Sequence, residues 1–189
     1  MYLADHSCKS LVVDILSKSF DKNQSILYVV KDGVSRARNI RKLMEYSFNI
    51  CLEYGEVWLS EDRKACCLIL LPDRKKSSVK RIFWEVQLAF HINVLKTLKR
   101  EARIKKYHPD IPFCYLWFIG VDPASQGQGI GSQLLEEVIR EYEKRERPVY
   151  LETSTLQNIP WYEKAGFEVF REVELSYKLF LLKREPCHI

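Results

Sequence analysis

Apolar positions along the chain switch between a 3.6-residue and a two-residue period, and the switches outline the elements. Leu11, Ile15 and Leu16, with Phe20 beyond, place one apolar stripe on a helix predicted over residues 10–20. Asp32-Gly33 reads as a turn. Ile40, Leu43, Met44, Ser47, Phe48 and Cys51 share a face of a second helix over 38–54, which Gly55 stops. Residues 56–60 and 65–71 read as two short strands joined by Glu61-Asp62-Arg63-Lys64, an antiparallel hairpin with a charged tip, closed by Pro72. Val79, Ile82, Phe83, Val86, Phe90, Val94 and Leu98 then recur at helical spacing. They predict one long helix over 78–106, with this stripe as its apolar face and a basic end that complements the negative helix C-terminus.

The second half of the chain is sharper. Residues 113–121 form an almost unbroken apolar run, the mark of a central strand buried on both faces. A loop over 122–128 leads into a helix over 129–144, whose inner face is Leu134, Leu135, Val138, Ile139 and Tyr142. A buried strand over 149–153 follows, then a short helix over 160–165 with Gly166 as its stop. Two last strands run over 167–173 and 174–183. One strand–helix–strand unit between hairpin-like flanks predicts a mixed α+β domain spanning 1–189, with no repeat and no linker.

Composition removes several classes. A net charge of +5 is too modest to argue for nucleic acid, and the basic run over 96–106 lacks the interleaved aromatics of a base-stacking surface. No apolar run is long enough to span a bilayer, and Asp5, His6 and Lys9 stand where a signal peptide needs an apolar core. A cytoplasmic protein with neither a membrane nor a nucleic-acid partner is expected. The six cysteines, Cys8, Cys51, Cys66, Cys67, Cys114 and Cys187, show neither a C-x-x-C pair nor the spacing of a zinc site or disulfide framework, so reduced thiols and no metal are expected. Cys66 and Cys67 should point to opposite faces of a strand. His6, His91, His108 and His188 have no partners legible in sequence, and His108, beside Pro109, reads as a surface residue.

The chemistry lies in Gln126-Gly127-Gln128-Gly129-Ile130-Gly131-Ser132, which follows a buried strand and opens a helix. Glycines let the backbone approach a ligand closely, and the free N–H groups of a first helical turn favour an anion such as a pyrophosphate. A glycine-rich turn without ligand is the alternative. A P-loop would need Gly-Lys-Ser or Gly-Lys-Thr, and no lysine is present. The dinucleotide fingerprint would need its third glycine where Ser132 stands, and glycine directly after the strand, where 122–126 intervene. Glu152 lies at the right distance for a ribose-binding acid, but the strand–helix alternation of such a fold does not continue.

The loop is similar to the Q/R-x-x-G-x-G/A signature of the GNAT superfamily, with Gln126, Gly129 and Gly131 at its fixed positions. Residues 117–123 resemble that family's fourth strand and exit. Residues 151–154 and 158–167 resemble its fifth strand and following helix, in the manner of puromycin N-acetyltransferase-like members. The resemblance covers 113–173. It implies a central, mostly antiparallel sheet with splayed fourth and fifth strands, flanked by helices, in which 113–173 bind acetyl-CoA and 1–112 shape the acceptor site. It further implies that the amides of 126–132 (Gln126, Gly127, Gln128, Gly129, Ile130, Gly131 and Ser132) hold the pyrophosphate. Ile119 and Val121 would pair with the pantetheine arm, with the Val121 N–H on the thioester oxygen, and Asn158 would bond near the pantetheine.

What the resemblance implies is an N-acetyltransferase that moves an acetyl group to a primary amine of a small molecule or peptide by direct attack. A silent acyl-CoA-binding sensor and a nucleotide-binding module stay as alternatives, and a homodimer is left open. Tyr162 is the candidate acid for the leaving sulfur, since a phenol is still protonated at neutral pH; as an ordinary helix aromatic it would only pack. Glu152 is the candidate base, directly or through water; otherwise it is a strand-end carboxylate that bonds backbone or substrate.

Overall fold

A computed structural model of the protein describes residues 1–76 and 78–186; Cys187 and His188 lie outside the described residues. The elements run β1 (Tyr2–Leu3), α1 (Lys9–Ser19), α2 (Gln24–Val29), α3 (Arg36–Tyr54), β2 (Gly55–Leu59), β3 (Ala65–Leu70), α4 (Val79–Ala89), α5 (Val94–Lys105), β4 (Cys114–Val121), α6 (Ile130–Lys144), β5 (Val149–Thr153), α7 (Ile159–Lys164), β6 (Glu168–Glu174) and β7 (Lys178–Arg184). The strands form one sheet in the order β1-β2-β3-β4-β5-β7-β6, and every neighbouring pair is antiparallel except β4 and β5. This is the mixed, mostly antiparallel sheet that the periodicity and the resemblance lead one to expect.

Both faces of the sheet are covered. α1 and α3 bury Val12, Leu16, Met44 and Phe48 against one face, while α6 buries Leu134, Leu135, Val138 and Tyr142 against the other. β3 is therefore buried at every position, and its neighbours Cys66 and Cys67 fall into opposite core layers. Burial pushes both thiols up, so they pack as small apolar groups rather than react.

Two expectations fail upstream. The helix predicted over 78–106 is two helices. Between them the chain turns to pair with the segment after α2: Asn93 donates its N–H to the Val29 carbonyl at 2.7 Å, Lys31 donates to the His91 carbonyl at 3.0 Å, and the Asn93 side chain bonds the Val30 carbonyl at 2.9 Å. Backbone groups used in that bridge cannot also continue a helix. Nor is the predicted stripe an inner face. Val79, Ile82, Phe83, Val86, Phe90, Val94 and Leu98 are all exposed, by 40 % to 85 %, while Leu88, on the other side of α4, enters the core. α2 and β1 were not foreseen; α2 has only six residues, started by Asn23, whose side chain accepts the Ile26 N–H.

Candidate functional site

The site begins with a bend in β4. Leu68 pairs with Phe118 but Ile69 pairs with Leu116, which leaves Trp117 as an extra residue in β4. A bulge of this kind bends its strand. On the other side, β4 and β5 pair only at Cys114–Val149 and Tyr115–Tyr150, so their ladder ends two residues before the bulge. Beyond it the two strands part. Asp122 donates its N–H to the Lys64 carbonyl, on the β3 side. Strand alternation then turns the amides of Val121 and Ile119 to the opposite side, toward the gap. The Val121 carbonyl already accepts Ser19 Oγ at 2.7 Å and Gln126 Nε2 at 3.3 Å.

The glycine loop stands where β4 ends. Gly127 and Gly129 have φ of 77° and 80°, the left-handed region in which a side chain is strained, and a Cβ added at either would meet nothing within 4 Å. The space above both is open. No side chain caps the start of α6, and the first amide satisfied by the helix is that of Gln133, which bonds the Gly129 carbonyl at 3.0 Å. The amides of Ile130, Gly131 and Ser132 precede it and have no acceptor within the helix. A Cβ at Gly131 would press on Val121 Cγ2 at 3.0 Å, so this glycine lets α6 sit close against β4. Trp161 Nε1 donates to Ser132 Oγ at 2.8 Å and ties α7 to the same turn. Open main-chain donors and left-handed glycines make this a fit for a diphosphate-bearing ligand.

A cavity of 820 Å³ enters the gap between the strands. Much of its wall is apolar, including Phe20, Val29, Leu43, Ile92, Trp117 and Phe118, and it also contains Ile119, Glu152, Asn158 and Tyr162. Tyr162 is buried, and its hydroxyl makes no hydrogen bond among the described residues. Burial pushes that hydroxyl well above the usual phenol range.

Within this wall lies a charged cluster that sequence reasoning did not find. Arg100 from α5 is buried and donates through Nη2 to Glu152 Oε1. It also donates through Nε to the Tyr177 hydroxyl at 3.2 Å, through Nη2 to Ser25 Oγ at 2.9 Å, and through Nη1 to Glu101 at 2.7 Å. Burial opposes the charge of Arg100, but Glu152 and Glu101 outweigh it and keep the guanidinium firmly protonated. Glu152 Oε2 is buried with no hydrogen-bond partner. Tyr115 and His108 line the same cavity, and burial raises the Tyr115 hydroxyl. His108, expected at the surface, is half-buried: its ring packs on Phe113 and Tyr115, with centroids at 5.1 Å and 5.4 Å, and burial lowers its basicity.

The predicted site residues therefore fall into two groups. Ile119, Glu152, Asn158 and Tyr162 share one cavity wall. Val121, Gln126, Gly127, Gln128, Gly129, Ile130, Gly131 and Ser132 form the end of β4 and the turn after it. Arg100, Ser25, Tyr115, Tyr177 and His108 were missed. No local signal separates Arg100 from Lys99 or Arg103; only the fold reveals which of them turns inward. Among the described residues, no group of three or more His, Cys, Asp or Glu side chains could hold a metal ion.

Comparison with known proteins agrees with this geometry. The family model for an acetyltransferase (GNAT) domain matches residues 94–169, from the start of α5 into β6. An uncharacterized N-acetyltransferase of Schizosaccharomyces pombe is 34 % identical over 77 residues, which cover 38 % of this chain and 31 % of the relative. The chain thus spans about a third of that relative's length. Among solved structures, a histone acetyltransferase HPA2 and related acetyltransferase from Corynebacterium glutamicum superposes with a TM-score of 0.71 at 15 % identity, covering 100 % of this chain and 96 % of that one. The C-terminal condensation domain of Ebony, in complex with beta-alanyl-dopamine, superposes with a TM-score of 0.72 at 12 % identity, covering 97 % of each.

Proposed function

We propose that the chain is an acetyltransferase of the GNAT superfamily, whose domain model matches residues 94–169, and that it transfers the acetyl group of acetyl-CoA to a primary amine carried on a small, largely apolar body. The observation that carries this reading is the parting of β4 and β5 after two paired residues, beside a turn of open amides and above a cavity lined by Tyr162 and Glu152.

In this reading the amides of 126–132 hold the pyrophosphate, with the α6 dipole adding to the attraction. Ile119 and Val121 align the pantetheine arm along the open side of β4, with Asn158 beside it. Acetyl-CoA supplies the activated acyl group, and the chain supplies three services. The Val121 N–H stands ready for the negative charge that grows on the carbonyl oxygen, a contact worth about 3 kcal/mol in a preorganised site. Glu152 takes the proton from the amine, directly or through one water, using the oxygen that has no partner. Tyr162 gives its proton to the departing sulfur; its burial keeps the phenol protonated for that task. Arg100 fixes the position of Glu152 and is a positioning residue rather than a catalytic one.

The acceptor body fits the apolar part of the cavity, which α2, α3, α4 and α5 help to wall. Measuring thiol release from acetyl-CoA over a panel of amines tests the proposal. Turnover with compact aromatic or aliphatic amines, and far less with polycationic amines or long lysine peptides, is the expected result. Binding of acetyl-CoA with no product from any amine would replace the enzyme by a sensor.

A further inference from the structure

The outer face of α4 has no partner. Val79, Ile82, Phe83, Val86 and Phe90 follow one side of this helix and stand exposed, as do Leu95 and Leu98 on α5, of which Leu98 also lines the cavity. Isolated exposed apolar side chains are ordinary on any protein, but a row of large ones along a whole helix marks an interaction surface.

Charge says what meets it. Residues 74–106 hold eleven of the chain's 30 lysines and arginines but only Glu85 and Glu101 of its 25 acidic residues. This stretch therefore carries +9, and since the whole chain is +5 the remainder is −4. Part of that charge is used internally: Arg100 is paired in the cavity, Arg81 faces Glu85, and Arg103 bonds the Glu174 carbonyl. Lys76, Lys80, Lys99 and Lys106 are exposed and form no ion pair among the described residues, and Lys75 and Lys105, also exposed, line the cavity. Along α5, Lys99 stands one turn beyond Leu95, where its long stem can cover apolar surface while the ammonium group reaches outward.

We propose that α4 and the outer face of α5 dock on an anionic lipid surface. The Ile82, Phe83, Val86 and Phe90 side chains would enter the headgroup boundary, and the lysines would meet lipid phosphates and carboxylates. A helix with large apolar residues on one side, bordered in the chain by segments that carry unpaired lysines, has the chemistry of an interfacial helix. A second copy of this chain is a poorer occupant, because pairing the face with itself would bring the unpaired lysines together. An acidic protein is poorer too: the lysines are spread over both helices and the segment before α4, and they match a diffuse field better than a fixed array. The expectation of no membrane partner rested on the lack of a spanning segment, which does not bear on a peripheral contact.

The test is co-sedimentation of the full chain with sucrose-loaded phosphatidylcholine vesicles, with and without phosphatidylserine. Binding to the phosphatidylserine vesicles alone, released as salt is raised, is the expected result. Phe83→Ser combined with Phe90→Ser should lower the bound fraction at least tenfold at an unchanged melting temperature. Should that pair fail to fold, Lys99→Glu with Lys106→Glu leaves the apolar row intact and should weaken binding by roughly fivefold per lysine. Equal binding to neutral and anionic vesicles, binding unaffected by either variant, or a dimer in sedimentation equilibrium that Phe83→Ser dissociates would each overturn the proposal.

Discussion

Arg100 and Glu152 lie 52 residues apart in the chain and meet as a buried ion pair in the wall of the cavity. α5 supplies the cation and the end of β5 the carboxylate, so the pair ties α5 to the strand beside the splay. Removing one member of a buried pair leaves the other without its partner in a low-dielectric site, which costs about 3–5 kcal/mol. Arg100→Met should therefore lower the melting temperature sharply. Arg100→Met with Glu152→Gln, which removes both charges, should recover most of that stability but not the turnover. Thermal denaturation of the parent and the two variants, set beside thiol-release rates, checks both halves. A double variant as unstable as Arg100→Met would mean that the guanidinium matters through Ser25 and Tyr177 instead.

Tyr162 separates packing from chemistry. Its hydroxyl bonds nothing among the described residues, so Tyr162→Phe should fold as well as the parent. Loss of a proton donor to a leaving group costs about 10²-fold or more in kcat, with little change in KM for acetyl-CoA. The sign of the pH effect also follows. Burial raises the phenol's pKa, so the protonated form persists further into the alkaline range, and the parent's kcat should show no loss attributable to Tyr162 around the ordinary phenol pKa of about 10. A pH–kcat profile of parent and variant decides the matter; identical profiles at equal rates would remove Tyr162 from the mechanism.

The glycine turn offers a test confined to the cofactor. Alanine at Gly129 clashes with no protein atom but must adopt a φ near 80°, a strain of about 1–2 kcal/mol. Its methyl group would also project into the open space that a diphosphate needs. Gly129→Ala should remain folded and yet bind acetyl-CoA at least about tenfold more weakly, the cost of losing one hydrogen bond to a charged group. Isothermal calorimetry against acetyl-CoA measures this. Unchanged affinity would place the phosphates elsewhere.

How far the sequence reached depended on whether a feature was local. The run over 113–121, the turn at Gly127 and Gly129 and the stripe of α6 are each written within a few consecutive residues, and the structure has them all. The resemblance led to the pairing and parting of β4 and β5. Periodicity misled over 78–106, because a stripe at helical spacing says which side of a helix is apolar but not what lies opposite it. Asn93 stands at the start of α5, but its side chain bonds the Val30 carbonyl in the bridge instead of capping the helix. The Arg100 cluster was invisible for a different reason: Ser25, Arg100, Glu152 and Tyr177 come from four distant segments, and no spacing rule joins them.

His108 supplies the last prediction, one of stability rather than rate. Its ring packs on Phe113 and Tyr115, and burial lowers its basicity in the folded chain; the nearby Glu152 works the other way but does not prevail. The unfolded chain therefore takes up a proton near the ordinary histidine pKa of about 6.5, while the folded chain resists until lower pH. More protons bound to the unfolded state means that stability falls as pH falls through that window, and the contribution is fully present above it. His91 is also less basic than usual, chiefly through desolvation, and adds to the same slope. The measurement is the difference in melting temperature between His108→Gln and parent at neutral pH and at pH values below the histidine range. That difference should move in the variant's favour as pH drops, whatever its sign at neutral pH. A difference that stays constant would mean that position 108 titrates alike in the folded and unfolded chains.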